Sequence, residues 1–188
     1  MTMTAVPKRT ITALVEDKPG VLNRISSMFR RRGFNIASLA VGRSEIPNLS
    51  RMTFVVEGDD AVVEQVTKHL HKLIDVIKVS DISDENTVSR ELALIKVKAS
   101  VHSRGEIMQI VGIFRAGIVD VAPESLIIEI TGDEEKVDAL VQLLKPFSIR
   151  ETMRTGRAAM TRGASATGGN QAAEPTTDQS APDAEVVP

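Results

Sequence analysis

The 188-residue chain contains no Cys, Trp or Tyr, which excludes disulfides, thiolate metal sites and cysteine catalysis and fits a reducing cytosol. Its net charge of −2 gives no broad electrostatic bias toward nucleic acid or anionic lipid. Apolar residues make up 42%, ordinary for a globular protein. No apolar run approaches the roughly 18 residues of a membrane span, and the opening MTMTAVPKRTITAL lacks a signal-peptide core, so a cytoplasmic protein is expected.

In chain order, Arg9–Glu16 places Ile11, Ala13 and Val15 on alternate positions, a strand signal. From Gly20 to Arg32 the apolar residues Val21, Leu22, Ile25, Met28 and Phe29 share one helical face. Asp17 suits the N-cap of this helix, Pro19 its first turn, and Gly33 its C-terminal stop. Arg30–Arg32 then complement the helix dipole. Asn35–Val41 and Arg51–Glu57 read as strands around a Pro47 turn. A second helix is expected over Ala61–Asp75, with Val62, Val63, Val66, Leu70, Leu73 and Ile74 on one face. Val76–Ile82 closes a βαββαβ unit.

After a linker near Ile82–Arg90 the same order returns: strand Leu92–Ser100, helix Glu106–Ala116, strands Ile118–Val121 and Leu126–Thr131, helix Glu134–Leu144 and strand Ile149–Arg154. The local match between FRRRGFNIASLAV and FRAGIVDVAP supports duplication. The expected fold class is α+β, with two tandem ferredoxin-like units over 8–83 and 84–162. Units of this size have small cores, and pairing between units or chains would help cover each open sheet face. From Gly163 the tail GASATGGNQAAEPTTDQSAPDAEVVP has no basic or aromatic residue; its composition predicts disorder over 163–188.

Catalytic chemistry is hard to find. His69 and His71 are two apart on a helix and do not share a face, and His102 stands alone. Gly58-Asp59 and Gly132-Asp133 read as turns into helices and lack the asparagines of a thiamine diphosphate–magnesium motif. No dinucleotide fingerprint, phosphate loop or nucleophile elbow is present, and no acid/base pair stands out. The RRRGFNIASL stretch lacks the second aromatic needed for RNA stacking. The chain is therefore read as non-catalytic, with no metal site and no cofactor of its own.

Asp17, Gly20 and Asn35 point to a ligand instead. A helix N-terminus offers the Gly20, Val21 and Leu22 amides to a carboxylate. Asp17 and the Asn35 carbonyl, on the same sheet edge in this reading, can accept from an ammonium. That combination suits a free α-amino acid.

These residues carry a resemblance. VEDKPGVLNRISSMFRRRGFNI resembles an ACT domain, a regulatory module that often binds amino acids at domain interfaces. LSRMTFVV, KHLHKLIDVIKV, SRELALIKV and IFRAGIVDVAPESL closely resemble the regulatory small subunits of acetolactate synthase (acetohydroxyacid synthase), from about Lys8 to Arg162. The resemblance implies an N-terminal ACT domain followed by an ACT-like domain. It implies a large catalytic subunit carrying thiamine diphosphate, magnesium and FAD. That subunit joins pyruvate to pyruvate or to 2-oxobutyrate in branched-chain amino acid biosynthesis. The small subunit raises its activity and confers feedback inhibition by valine. An ACT-domain homodimer would hold valine near Asp17, Gly20, Val21, Leu22, Asn35 and Ile36. Many relatives carry Asn where this chain has Asp17. A generic ACT-type amino-acid sensor acting on another enzyme or regulator is the alternative; the second repeat argues against it.

Overall fold

A computed structural model describes residues 6–163; the expected disorder beyond Gly163 lies outside them. In order the chain forms β1 (Lys8–Glu16), α1 (Val21–Arg32), β2 (Ile36–Arg43), β3 (Leu49–Glu57), α2 (Asp60–Leu70) and β4 (Val76–Asp81). It then forms β5 (Thr87–Lys98), α3 (Arg104–Ile113), β6 (Gly117–Ala122), β7 (Ser125–Gly132), α4 (Glu134–Leu144), β8 (Ile149–Arg154) and β9 (Ala158–Thr161). The strand order is β2-β3-β1-β4 in the first sheet and β6-β7-β5-β8 in the second, with β9 paired to the N-terminal part of β5. All pairings are antiparallel. The tandem ferredoxin-like expectation is met.

Each unit buries most of the residues its periodicity selects. In the first, Ile11, Ala13 and Val15 of β1 meet Ile25, Met28 and Phe29 of α1 and Val63, Val66 and Leu70 of α2. The Phe29 and Phe54 rings stack at 5.5 Å, and Phe34 approaches Phe29 edge-on at 6.2 Å; such pairs add about 0.5–1.5 kcal/mol beyond their burial. In the second, Ala93, Ile95, Val97 and Ala99 are fully buried beneath Ile107, Val137, Leu140 and Leu144. Asp59 and Asp133 each accept a hydrogen bond from the amide three residues on, Val62 and Lys136, and so cap α2 and α4. Both Gly-Asp pairs are the helix-entry turns anticipated.

Four expectations need correction. First, α2 ends at Leu70, not Asp75. Leu73 still packs on the core, but Ile74 is 87% exposed. The turn after Leu70 instead buries Asp75, whose carboxylate pairs with Arg24 of α1 and with Lys18 at 3.1 Å. Second, Leu22 is half exposed rather than on the buried face of α1. Third, Asp17 does not cap α1; Gly20 is the N-cap, and no side chain caps that end. Pro19 precedes the cap rather than lying in the first turn. Fourth, Thr87–Arg90 is strand, not linker, because it pairs with β9, Thr87 with Thr161 and Arg90 with Ala158.

Burial pushes the Asp75 carboxyl upward, but hydrogen bonds from Arg24 and Lys18 outweigh it and hold the group below the ordinary carboxylate range. A carboxyl whose pKa is lower folded than unfolded contributes stability above the unfolded value, and that contribution fades as pH falls through the folded value. Asp75→Asn should therefore lower the melting temperature at pH 7. The gap from the wild type should narrow below about pH 4, as read by thermal unfolding across pH.

The first sheet's second face is also covered. Thr10, Thr12 and Thr53, opposite the helices, are 8%, 2% and 5% exposed. Ala40, Val41 and Thr53 share a cavity of about 420 Å³ with Val88, Ala158 and Met160, so the β5–β9 ribbon lies over this face. An ion pair, Lys8–Glu134, joins the units as well. Glu134, at the start of α4, pairs with Lys8 of β1 and with Arg157 at 2.7 Å. The Lys8 hydrogen bond leads in holding the Glu134 carboxyl below its ordinary range, against the effect of burial.

Candidate functional site

The loop Asp17–Gly20 carries the chain from β1 into α1. Gly20 has φ +91°, a conformation that L side chains rarely adopt. A Cβ built there meets nothing within 4 Å, so backbone conformation rather than crowding asks for glycine. The first turn of α1 holds no acidic residue and receives no side-chain cap, so its helix-end amides are of the kind that bind anions, although the Val21 amide makes a long 3.5 Å bond to the Lys18 carbonyl. Gly20 is exposed, Val21 buried and Leu22 half exposed.

The loop is anchored to the β2–β3 turn, where the Asp17 amide donates to the Asn48 carbonyl at 2.8 Å. The Asp17 carboxylate is half exposed and 3.9 Å from the Arg43 guanidinium. Both line a recess of about 330 Å³ with Ser44, Pro47 and Asn48. Arg43 was not selected from sequence; its position on the strand carried no sign that the turn would return it to Asp17.

Asn35 and Ile36 lie elsewhere. Ile36 pairs with Val56, whereas Arg43 pairs with Ser50 and Glu16 with Leu49. Asp17 and Gly20 thus sit at one end of the sheet and Asn35 at the other, about 25 Å away along the strands at ~3.3 Å per residue. The expectation of a shared edge within one unit is corrected: β1 and β2 run the same way, and α1 returns the chain to the far end before β2 begins. The Asn35 side-chain Nδ2 donates to the Glu57 carboxylate at 2.8 Å, which leaves its side-chain carbonyl as an acceptor. β2 is the last strand of its sheet, without a strand neighbour on its outer side among the described residues.

The second unit fills the corresponding place differently. At the start of α3, Arg104 donates to the carbonyls of Ala122 and Pro123 at 2.7 and 2.9 Å. This guanidinium bridges the helix start and the β6–β7 turn, where the first unit has its recess. Among the described residues, no three His, Cys, Asp or Glu side chains gather as a metal cluster, and no helix is long and apolar enough to cross a membrane.

Sequence reasoning also passed over the connector between β8 and β9. Gly156 has φ +81° and lies against β2, and Arg157 reaches both units. Arg154-Thr155-Gly156 signals a turn, but its partner strand cannot be read from local pattern.

Two family models match the chain: one described as "AHAS small subunit-like ACT domain" over residues 11–78 and one as "Small subunit of acetolactate synthase" over residues 90–163. Among curated proteins, a probable acetolactate synthase small subunit of Archaeoglobus fulgidus is 60% identical over 156 residues, 83% of this chain and 98% of the relative. The acetolactate synthase small subunit of Mycolicibacterium smegmatis is 55% identical over 157 residues, 84% and 92% of the two chains. Among solved structures, the acetolactate synthase small subunit of Thermotoga maritima superposes with a TM-score of 0.79 at 45% identity, covering 85% of this chain and all of that one.

Proposed function

This chain belongs to the acetolactate synthase small-subunit family, and from that premise we propose that it activates a large catalytic subunit and makes it sensitive to valine. The 60% identity spanning nearly all of a named small subunit carries the reading. The partner would hold thiamine diphosphate, magnesium and FAD and form acetolactate from pyruvate; this chain supplies regulation.

The proposed effector site is shared between two protomers. Valine's carboxylate would meet the amides of Gly20, Val21 and Leu22, with Asp17 near its ammonium. Asn35 and Ile36 would come from the other protomer. Support comes from the uncapped helix start, the left-handed Gly20 and the outer side of β2, which no strand among the described residues covers. Exposed strand edges invite pairing, and a two-fold axis joining two β2 strands edge to edge makes them antiparallel. The start of one β2 then lies by Arg43 of the other, at the end that carries Asp17 and Gly20.

The deciding experiment is co-purification with a large subunit, followed by acetolactate assay of the reconstituted pair with and without valine. Stimulation without valine and inhibition with it are expected; an unaffected large subunit would refute the reading. In the same assay Asn35→Ala should weaken inhibition by about 1–3 kcal/mol, the cost of losing a charge-assisted acceptor. An unaltered valine response would remove Asn35 from the site.

A further inference from the structure

The connector Thr155–Arg157 is fastened to both units. On the second unit's side, the Thr155 amide donates to the Leu92 carbonyl at 3.0 Å, and the Leu92 amide donates to Thr155 Oγ1 at 3.1 Å. The Arg157 guanidinium reaches Glu134 at the head of α4. On the first unit's side, the Arg157 amide donates to Ser38 Oγ at 2.8 Å, and its guanidinium donates to Thr10 Oγ1 at 3.1 Å. Gly156 is pressed against β2: a Cβ built there would lie 2.6 Å from Ser38 Oγ and 3.0 Å from the Leu39 carbonyl oxygen.

Ser38 is a telling place for this grip. It stands three residues after Asn35, and the β2–β3 register shifts between Ile36 and Ser38, leaving Ala37 without a partner on β3. A bulge bends its strand and re-aims the side chains next to it. A movement of Asn35 and Ile36 would thus have a short path to Ser38 and, through its hydroxyl, to the Arg157 amide. Beside the connector, Ser38, Glu91, Glu134 and Arg154 line a cavity of about 320 Å³. This part of the junction is polar and incompletely filled, as in domain contacts that shift.

We propose that the Thr155–Arg157 connector is the coupling element that carries the state of the effector-binding β2 strand into the second unit. The proposal rests on the effector reading above. Coupling between two sites requires contacts that differ between two states. The bond of the connector to Ser38 is the contact that can differ when β2 moves, while Arg157–Thr10 on β1, Thr155–Leu92 and Arg157–Glu134 hold the connector in place.

The test uses the full chain and its large subunit with two substitutions. Gly156→Ala drives a methyl into Ser38; Ser38→Ala removes the acceptor for the Arg157 amide. Valine binding to each small subunit is measured by calorimetry, and valine inhibition in the reconstituted enzyme. Both variants should bind valine within about twofold of the wild type and activate fully without it. The concentration for half inhibition should rise about tenfold or more, within the usual span of coupling energies. Where Gly156→Ala does not fold, the result with Ser38→Ala decides. Unchanged inhibition in the folded variants overturns the coupling role alone. Loss of valine binding in them also overturns it, because the connector would then belong to the effector site. Absence of valine binding by the wild type overturns the effector reading and the coupling role together.

Discussion

Gly20→Asp should abolish valine inhibition of the reconstituted enzyme while leaving activation in place. The Gly20 backbone is left-handed, at φ +91°, so any side chain strains it by about 1–3 kcal/mol. No atom lies within 4 Å of the new Cβ, so the fold has room to accept the substitution. Function is expected to suffer more, because the carboxylate would stand at the head of α1, where the proposed effector places its own. The effector's carboxylate therefore meets a like charge at the helix start. Acetolactate formation against valine concentration gives the result, with calorimetry as the direct check. Normal inhibition by this variant would remove the start of α1 from the site.

Phe29→Ala should be the most damaging single truncation in the first core. The ring is 1% exposed, stacks on Phe54 and takes the edge of Phe34. Phe-to-Ala changes at such positions cost about 3–5 kcal/mol through lost burial and the cavity left behind. For a chain of this size that is a fall of roughly 10 °C in melting temperature. Urea or thermal unfolding would measure it. A loss below about 1 kcal/mol would mean that this aromatic cluster is not what holds α1 to the sheet.

The repeat was legible because each element carries its own period. The bounds of α4 and β8 came directly from the spacing of Val137, Leu140, Val141 and Leu144 and from the stop at Arg154. Local pattern failed where a distant partner decides the outcome. Leu73 and Ile74 prolong the helical rhythm of α2, yet the chain turns away at Leu70, and Asp75 pairs with Arg24, 51 residues earlier. Thr87–Arg90 looks like polar linker because its β-ladder partner is the distant Ala158–Thr161.

The residues of the proposed effector site were the hardest part to place from sequence. Asp17, Gly20 and Asn35 were grouped as a candidate ligand set by residue type, and the first loop and the start of the second strand were read as lying on one sheet edge. The parallel relation of β1 and β2 puts them at opposite ends instead, a consequence of topology that no short stretch records. Arg43 and Ser38 were invisible for a related reason: each acts through a segment far from it in sequence, the Asp17 loop in one case and the β8–β9 connector in the other.

The separation of Gly20 from Asn35 along β1 and β2 has a bearing on dose. If one protomer supplies the helix start and another the asparagine, a lone chain has no complete binding site, and ligand occupancy is linked by mass action to self-association. Valine then tightens the pair that binds it, and dilution of the protein weakens its apparent affinity. Expression level becomes a control variable alongside the amino-acid pool: a cell making little of this chain would hold it as separate halves, insensitive to valine at concentrations that silence the same enzyme when the chain is abundant.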